Sequence, residues 1–569
     1  MSQDFRKVLI KDPRLLCTDS INYAVVKGGQ NVTSSEFLAT SQSNSSHVYN
    51  IQVPSEQTIV DRRVMWESEV TLKITSTAGK PGGIPLIQYG LRDSLGPFPL
   101  HYLTSVMTAT INNSSVSINM RDVLASILRF NDRAELSRYN GMTPTAYDTY
   151  GDYSQGVGAI NNPLGSWVNT DNNNDYSPRG SWVLEGYGTT TALGGEAPPV
   201  AGGAGQDYYV KFKVTEPLLL SPFIFAKPMT NAQGFYGIQN MNFVFNIGDA
   251  SRAWRSADNW KSVSVVQFEN SRLIFNFLTP HPSDLLPARN VVPYYELPRY
   301  ITNVAVNAAD EASVSVSTNT LQLNQIPDKL ILFVRKQISS QGVSDPDCFF
   351  PIESVSINFN NQSGILSSAR QTDLYRYSVE NGSNQSWPEF YGNANVVDPA
   401  TGRGALIRTS GSMLILEFGK DIQITEDFYA SGSLANINLQ VRLGIKNNTG
   451  ALLNETLEIV LITMNSGVFI CERGTSSQFT GILDKQAVLE ASSQVAYSMN
   501  EMKRLVGGSF LDTLKSVASK VLPIVKNVAN SIEDPRAKAV GATLGAMGYG
   551  MSGAGMSAGA KMSKKDHRL

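Results

Sequence analysis

Two stretches about 240 residues apart carry the same phrases in the same order. A chain that repeats itself at that distance is constrained to contain one structural unit built twice. The first copy has Ile111-Asn112-Asn113-Ser114-Ser115, then Glu135-Leu136-Ser137-Arg138-Tyr139 and Asn140-Gly141. The second has Phe359-Asn360-Asn361-Gln362-Ser363, then Asp373-Leu374-Tyr375-Arg376-Tyr377 and Asn381-Gly382. Twenty-four residues separate Ile111 from Glu135 and fourteen separate Phe359 from Asp373, so the copies differ by an insertion of ten.

The length of 569 residues exceeds what one core supports and predicts two to four domains. Charged residues are only 17%, a balance that suits strands joined by long turns, and a net charge of −2 argues against a nucleic-acid clamp. Cys17, Cys348 and Cys471 have neither pairing nor metal spacing and fit a reducing compartment. The opening MSQDFRKVLIKDPRLL has no apolar core flanked by a cleavage site, so no secretion signal is expected. No apolar run approaches the roughly 18 residues that span a bilayer.

Along the chain, residues 1–46 read as a polar N-terminal arm. A first β-unit follows over 47–279, with alternating runs at Val48–Val53, Val64–Ile74, Tyr208–Val214, Phe243–Ile247, Val263–Phe268 and Leu273–Phe277. Asn112-Asn113 tolerates the positive φ of a tight hairpin, and Met120–Phe130 predicts a helix with Val123, Leu124, Ile127 and Leu128 on one face and Asn119 as its cap. Asp61-Arg62-Arg63 reads as a solvated corner. Residues 131–207 form one long Gly-, Asn- and Tyr-rich excursion, expected at the surface.

Pro280, Pro282, Pro287, Pro293 and Pro298 mark a linker over 280–299, since no strand interior or helix accommodates that density. A second unit over 300–483 repeats the order: strands at Leu330–Val334 and Ile352–Phe359, a helix at Ser367–Tyr377, an irregular stretch at Asn381–Arg408, then strands at Leu414–Phe418, Ile437–Ile445 and Leu457–Met464. The fold class is all-β: about eight strands per unit with one buried face each call for two packed sheets, and a jelly roll is favoured over other Greek-key sandwiches, which spacing does not separate.

The sequence offers poor material for catalysis or metal binding. His47, His101, His281 and His567 are scattered, no phosphate loop or nucleophile elbow is present, and Glu67 and Glu69 read as exposed positions on one strand face. Asp171, Asn173 and Asp175 open like a calcium loop, but Tyr176 replaces the turn glycine and Trp182 the bidentate acid. No cofactor is expected.

Residues 484–569 are different material. After the Gly507-Gly508 break, Phe510, Leu514, Val517, Val521, Ile524, Val525, Val528 and Ile532 recur at steps of three and four, with Lys515, Lys520 and Lys526 off the stripe and Pro523 inside it. From Lys503 there are eleven Lys/Arg against four Asp/Glu, a net +7 that leaves −9 for the rest. An α-helical amphipathic tail of this kind packs on protein or lies on a membrane surface, while Lys561, Lys564, Lys565 and Arg568 offer charge to a polyanion.

The phrases VYNIQVPSEQTIVDRR, GPFPLHYLTSVMTATINNSSVSIN, Ile326-Pro327-Asp328-Lys329-Leu330 and Ser386-Trp387-Pro388-Glu389-Phe390, with LEIVLITMNSGVFICERGTSSQFTGIL, resemble the double jelly-roll major capsid proteins of the adenovirus, virophage and polinton-like virus lineage. The resemblance runs from about Tyr49 to Leu483. It implies two tandem eight-stranded jelly rolls standing side by side, with three chains forming a pseudo-hexameric capsomer of an icosahedral virion shell. Neighbouring capsomers, penton and minor capsid proteins are the implied partners. Residues 131–207 and 379–410 would form outer towers open to a host receptor, with the arm and tail facing inward toward genome or internal membrane. Such a protein is made in the host cytoplasm and assembled there or in the nucleus. Two alternatives stand beside it: a receptor- or glycan-binding spike using Tyr147, Tyr150 and Trp167, and a hydrolase on a double sandwich.

Overall fold

The computed structural model describes residues 32–480 apart from 78–81, 132–141, 152, 154–181, 201–202, 224–233, 280–288, 346, 361, 398–403, 425–430 and 451, with short strands at 9–11, 24–26 and 483–484. The chain divides into two compact units, 1–424 with 435–481 and 425–434 with 482–569. Within the second, the described part is a parallel pairing of Leu483–Asp484 with Ser433 and Leu434. The first unit holds the doubled architecture.

Its first half contains β1 (Val32–Leu38), β2 (Ser46–Gln52), β3 (Met65–Ser76), β4 (Thr104–Ile111), β5 (Ser114–Ile118), α1 (Met120–Phe130), β6 (Asp207–Pro217), β7 (Asn240–Ile247) and β8 (Lys261–Leu278). After β9 (Asn290–Glu296), the second half contains β10 (Arg299–Ala308), β11 (Ser313–Ser317), β12 (Leu321–Gln325), β13 (Lys329–Lys336), β14 (Ile352–Phe359), β15 (Gln362–Ile365), α2 (Gln371–Glu380), α3 (Trp387–Tyr391), β16 (Leu414–Glu417), β17 (Ser433–Lys446), β18 (Leu452–Glu472) and β19 (Thr475–Phe479).

Strand pairing repeats between the halves. One sheet of the first half runs β1-β8-β3-β6 and the other β2-β7-β4-β5. In the second half the corresponding paths are β10-β18-β13-β16 and β11/β12-β17-β14-β15. Each half interleaves its strands between two facing sheets in the jelly-roll manner. Short additions enlarge this frame, so that among the described residues the first half's sheets have five and six strands.

The alternation that defines each strand also builds each core. In β6 the burial pattern is strictly two-periodic, with Tyr208, Val210, Phe212 and Val214 inside and Tyr209, Lys211, Lys213 and Thr215 half-buried. The hairpin expected at Asn112-Asn113 is present and has a counterpart in the second half: Asn112 and Asn360 sit at φ 50° and 52°, joining β4 to β5 and β14 to β15. The helix in the following connection is α1 in one half and α2 in the other. The acid that corresponds to Asp373 in this frame is therefore Asp122, third residue of α1, and the Glu135–Gly141 phrase lies outside the described residues.

Three expectations are corrected. The polar arm contains β1, which pairs residue by residue with Arg272–Leu278, because its polar positions alternate with Phe37 packed against Phe275 at 5.8 Å. The linker ends in β9, where Pro293 is tolerated because β9 pairs on one side alone, with Val468 opposite the proline. The Asp61-Arg62-Arg63 corner is not solvated: Asp61 and Arg62 are buried, and Arg62 Nε donates to Pro222 O at 2.6 Å. Burial lowers that guanidinium to about 10.

Candidate functional site

The seam between the two rolls joins apolar contacts to buried ion pairs. Along α1 every residue from Asp122 to Arg129 is buried, far more than an amphipathic helix on one roll requires. The reason is that a second surface covers it. The outer face of the β10-β18-β13-β16 sheet carries Ile331, Phe333, Ile415, Val460 and Ile462, which join the first roll's hydrophobic core as one cluster. Lys329 continues the contact, with Nζ 5.8 Å from the Phe130 ring centroid.

Charge registers this apolar contact. Asp122, fully buried, pairs with Arg335 and with Arg299 at 2.6 Å, both from the second roll, and with Arg121 at 3.4 Å. Burial opposes ionisation of Asp122, but the arginines outweigh it and hold the carboxyl below its ordinary range. Arg335 also binds Glu458 at 2.9 Å, so both its ends are fixed.

A second polar knot involves the base of the long excursion. Asp148 binds Arg255 at 2.9 Å and accepts from Asp347 N at 2.9 Å, while Asp347 accepts from Tyr102 Oη and lies 3.5 Å from Arg252. Arg129 donates to the Asp148 carbonyl at 2.9 Å and lies 4.7 Å from the Tyr147 ring centroid and 5.0 Å from that of Phe349. Backbone bonds complete the stitch: Gly151 N to Arg408 O at 3.0 Å and Ser410 N to Thr149 O at 2.8 Å. A Cβ on Gly151 would lie 2.7 Å from Thr409 O, so only glycine permits this approach.

At a third place, β18 overruns its roll. Its last residues pair with β9 and β19, and Ser476 on β19 receives a hydrogen bond on its carbonyl from Ser114 Oγ at 2.7 Å and donates from its backbone to Asn113 Oδ1 at 2.7 Å. The Asn-Asn hairpin is thus also an anchor between rolls.

The lineage phrases acquire physical reasons. In Ser386-Trp387-Pro388-Glu389-Phe390, Ser386 and Glu389 form a capping box that starts α3, with Pro388 in its first turn. In the Ile326–Leu330 phrase, Asp328 accepts from Ser466 N at 2.7 Å, and Lys329 donates to Asn381 O at 2.6 Å. Burial pushes the Asp328 carboxyl up and the Lys329 ammonium down.

Other sequence candidates fare differently. Glu67 and Glu69 do share a strand face, but they are paired, Glu67 with Lys213 at 3.2 Å and Glu69 with Lys211 at 2.7 Å, and Glu67 is buried. Tyr147 and Tyr150 are buried in the seam, so the excursion's base is core material rather than surface, and neither ring is open to a glycan. Trp167 and the Asp171–Asp175 run lie outside the described residues. So do Phe510, Leu514, Val517, Val521, Ile524, Val525, Val528, Ile532, Lys561, Lys564, Lys565 and Arg568. Among the described residues there is no group of three His, Cys, Asp or Glu able to hold a metal, and no helix long and apolar enough to cross a membrane.

Two halves with one strand order and a buried seam are matched on both sides by capsid families. The Sputnik virophage major capsid protein first domain matches residues 3–278, and the major capsid protein V20 C-terminal domain matches residues 297–467. The chain belongs to the double jelly-roll major capsid proteins. It is 29% identical over 578 residues to the putative capsid protein V20 of Sputnik virophage, covering 96% of this chain and 94% of that one. A chain in the cryo-EM structure of the Sputnik virophage superposes with a TM-score of 0.71 at 28% identity, covering 87% of this chain and 97% of that one. The mavirus major capsid protein shares the fold, with a TM-score of 0.65 at 15% identity over 82% of this chain and 93% of that one. This major capsid protein is a component of the virion capsid.

Proposed function

We propose that three copies of this chain form a pseudo-hexameric capsomer, and that such capsomers, with penton and minor capsid proteins, build an icosahedral shell. The observation that carries the reading is the repeated strand order of two rolls fused by a buried seam. A threefold assembly of doubled rolls presents six similar units, which suits a sixfold position in a shell. In this reading the first roll lies within residues 32–278 and the second begins at Arg299, while the segment from Asp484 is a separate basic tail. The protein's work is geometry, with no catalytic step assigned to it. Size-exclusion chromatography with light scattering, together with negative-stain images of the purified protein, tests this. A trimer with a hexagonal outline is expected, and a persistent monomer overturns it.

The tail faces inward in this reading and meets genome, minor protein or an internal membrane. Its amphipathic stripe and net positive charge support contact with an anionic lipid surface. A peptide of residues 509–532 and acid-treated particles should both release dye from anionic liposomes. No release from either leaves the stripe as a protein-packing surface. The host-receptor role belongs to the outer part of the long loops, since Tyr147 and Tyr150 are committed to the seam.

A further inference from the structure

A cluster away from the seam brings a nucleophile and two acids together inside the first roll. Lys261, first residue of β8, is the one lysine buried among the described residues. Its Nζ lies 2.7 and 2.8 Å from the two carboxylate oxygens of Asp93 and 2.9 Å from Oδ2 of Asp258, and the side chains of Lys261 and Asp93 are fully shielded from solvent. Indole rings line the place: Trp254 donates from Nε1 to Asp93 Oδ1 at 3.3 Å, and the lysine Nζ stands 4.9 Å from the Trp260 ring centroid. Gln88 N donates to Asp93 Oδ2 at 2.9 Å, and Arg92 Nε donates to Asp258 at 3.1 Å. Two acids thus stand against one lysine and one arginine. An ion pair taken wholly out of water returns little net stability, because desolvation offsets its attraction. An amide joining Lys261 to Asp93 carries no charge, and it leaves Asp258 with Arg92 as its counter-ion.

We infer that Lys261 and Asp93 condense after folding into an isopeptide bond, with Asp258 relaying the protons. Asp258 takes a proton from the Lys261 ammonium and passes it to Asp93 Oδ1. The freed electron pair on Nζ attacks Asp93 Cγ and forms the Nζ–Cγ bond, while the charge that develops on Oδ2 meets the Gln88 N–H. A second proton from Nζ travels through Asp258 to the Oδ1 hydroxyl, and the Cγ–Oδ1 bond breaks with release of water. One hydrogen stays on the amide nitrogen, so the products are the cross-linked chain and one water. The fold supplies what a lysine and an aspartate in solution lack: contact, a dry surround and a proton carrier within reach. The bond joins side chains 168 residues apart, tying the Gln88–Leu95 stretch to the start of β8. Covalent closure of so long a loop removes freedom from the unfolded chain, and it acts within one chain whether or not chains assemble.

The test uses the full-length protein, purified folded, then unfolded in denaturant, weighed whole by mass spectrometry and digested with trypsin. The wild-type chain is expected to be lighter by one water than its sequence requires, with a branched peptide joining the Asp93 and Lys261 segments and no tryptic cut after Lys261. Lys261→Arg keeps the charge but cannot be joined, and Asp258→Asn keeps the size but removes the relay. Both variants are expected at the full mass of their own sequences, without the branched peptide. On a denaturing gel both should run more slowly than the wild type, whose internal closure keeps the unfolded chain compact. A wild-type chain at full mass that trypsin cuts after Lys261 overturns the inference and leaves an ionic cluster, and this measurement does not depend on either variant folding. A lost water that maps to another pair of residues overturns it as well, and a branched peptide that persists in Asp258→Asn overturns the relay.

Discussion

Helices α1 and α2 occupy the same place in two rolls of one topology, yet one is sealed and the other open. Asp122 to Arg129 of α1 are all buried, whereas α2 buries Leu374 and Ser378. Topology therefore sets where a helix stands, while the neighbouring roll decides how much of it must be apolar. The same contrast appears in the sheets. At outward positions, β13 has Ile331 and Phe333, both buried, where β3 has Glu69 and Lys73, both half-buried. An outer face becomes core when a second roll lies on it, and keeps its charges when none does.

The largest effects should come from the sealed side. Phe333→Ala removes a fully buried ring shared by both rolls and should cost about 3–5 kcal/mol in denaturant unfolding, whereas Tyr377→Ala on the open helix should cost well under ~2 kcal/mol in the isolated monomer. Equal costs would break the contrast. Asp122→Ala leaves Arg335 and Arg299 facing each other across a buried site and should cost about 3–5 kcal/mol by the same measurement. Its counterpart Asp373→Ala loses one first-turn hydrogen bond, from Arg370 N at 3.2 Å, and should cost about 1 kcal/mol.

Acid should separate the rolls next. His47 is buried against Phe268, with ring centroids 4.4 Å apart, and burial lowers its imidazole from 6.5 to about 4. The unfolded chain takes up that proton first, so the contribution is intact above pH 6.5 and is lost as pH falls toward 4, by about 3 kcal/mol in total. No histidine lies between residues 299 and 481, so hydrogen exchange at pH 5 against pH 7 should show weakening centred on β2, β3 and β8 of the first roll. His47→Gln should flatten that dependence. Below the ordinary carboxylate range Asp122 adds a second loss in the same direction, because its folded carboxyl titrates lower than the unfolded one. The smallest effect is expected on the open sheet, where Glu269→Gln touches a half-exposed pair with Lys211 and should change monomer stability by less than ~1 kcal/mol.

Local signals were legible in the sequence. Asn112-Asn113 announced its hairpin because positive φ is costly for most residues, and Met120–Phe130 announced its helix by the period of its apolar face. Two runs of strands in matching sequence pointed to paired sandwiches, while the jelly-roll order over other Greek keys rested on the resemblance. The seam was not legible, because its partners are far apart: 213 residues separate Arg335 from Asp122 and 245 separate Tyr102 from Asp347. No spacing rule connects residues brought together by docking one roll on another. The same cause misread Tyr147 and Tyr150, aromatic residues that look solvated until the second roll covers them, while Arg62 was misread because its partner Pro222 lies 160 residues on. Asp373 was matched to Glu135 on a shared Leu-x-Arg-Tyr pattern, whereas position in the fold pairs it with Asp122.

A density map of the assembled wild-type protein, at a resolution that shows side chains, bears most directly on the claim that two like rolls fused in one chain fill a sixfold place. Three chains are predicted around one axis, presenting six rolls, with helix 120–130 lying on the Arg335 face within each chain. A single chain, a ring of another number, or rolls that part at that seam would contradict it.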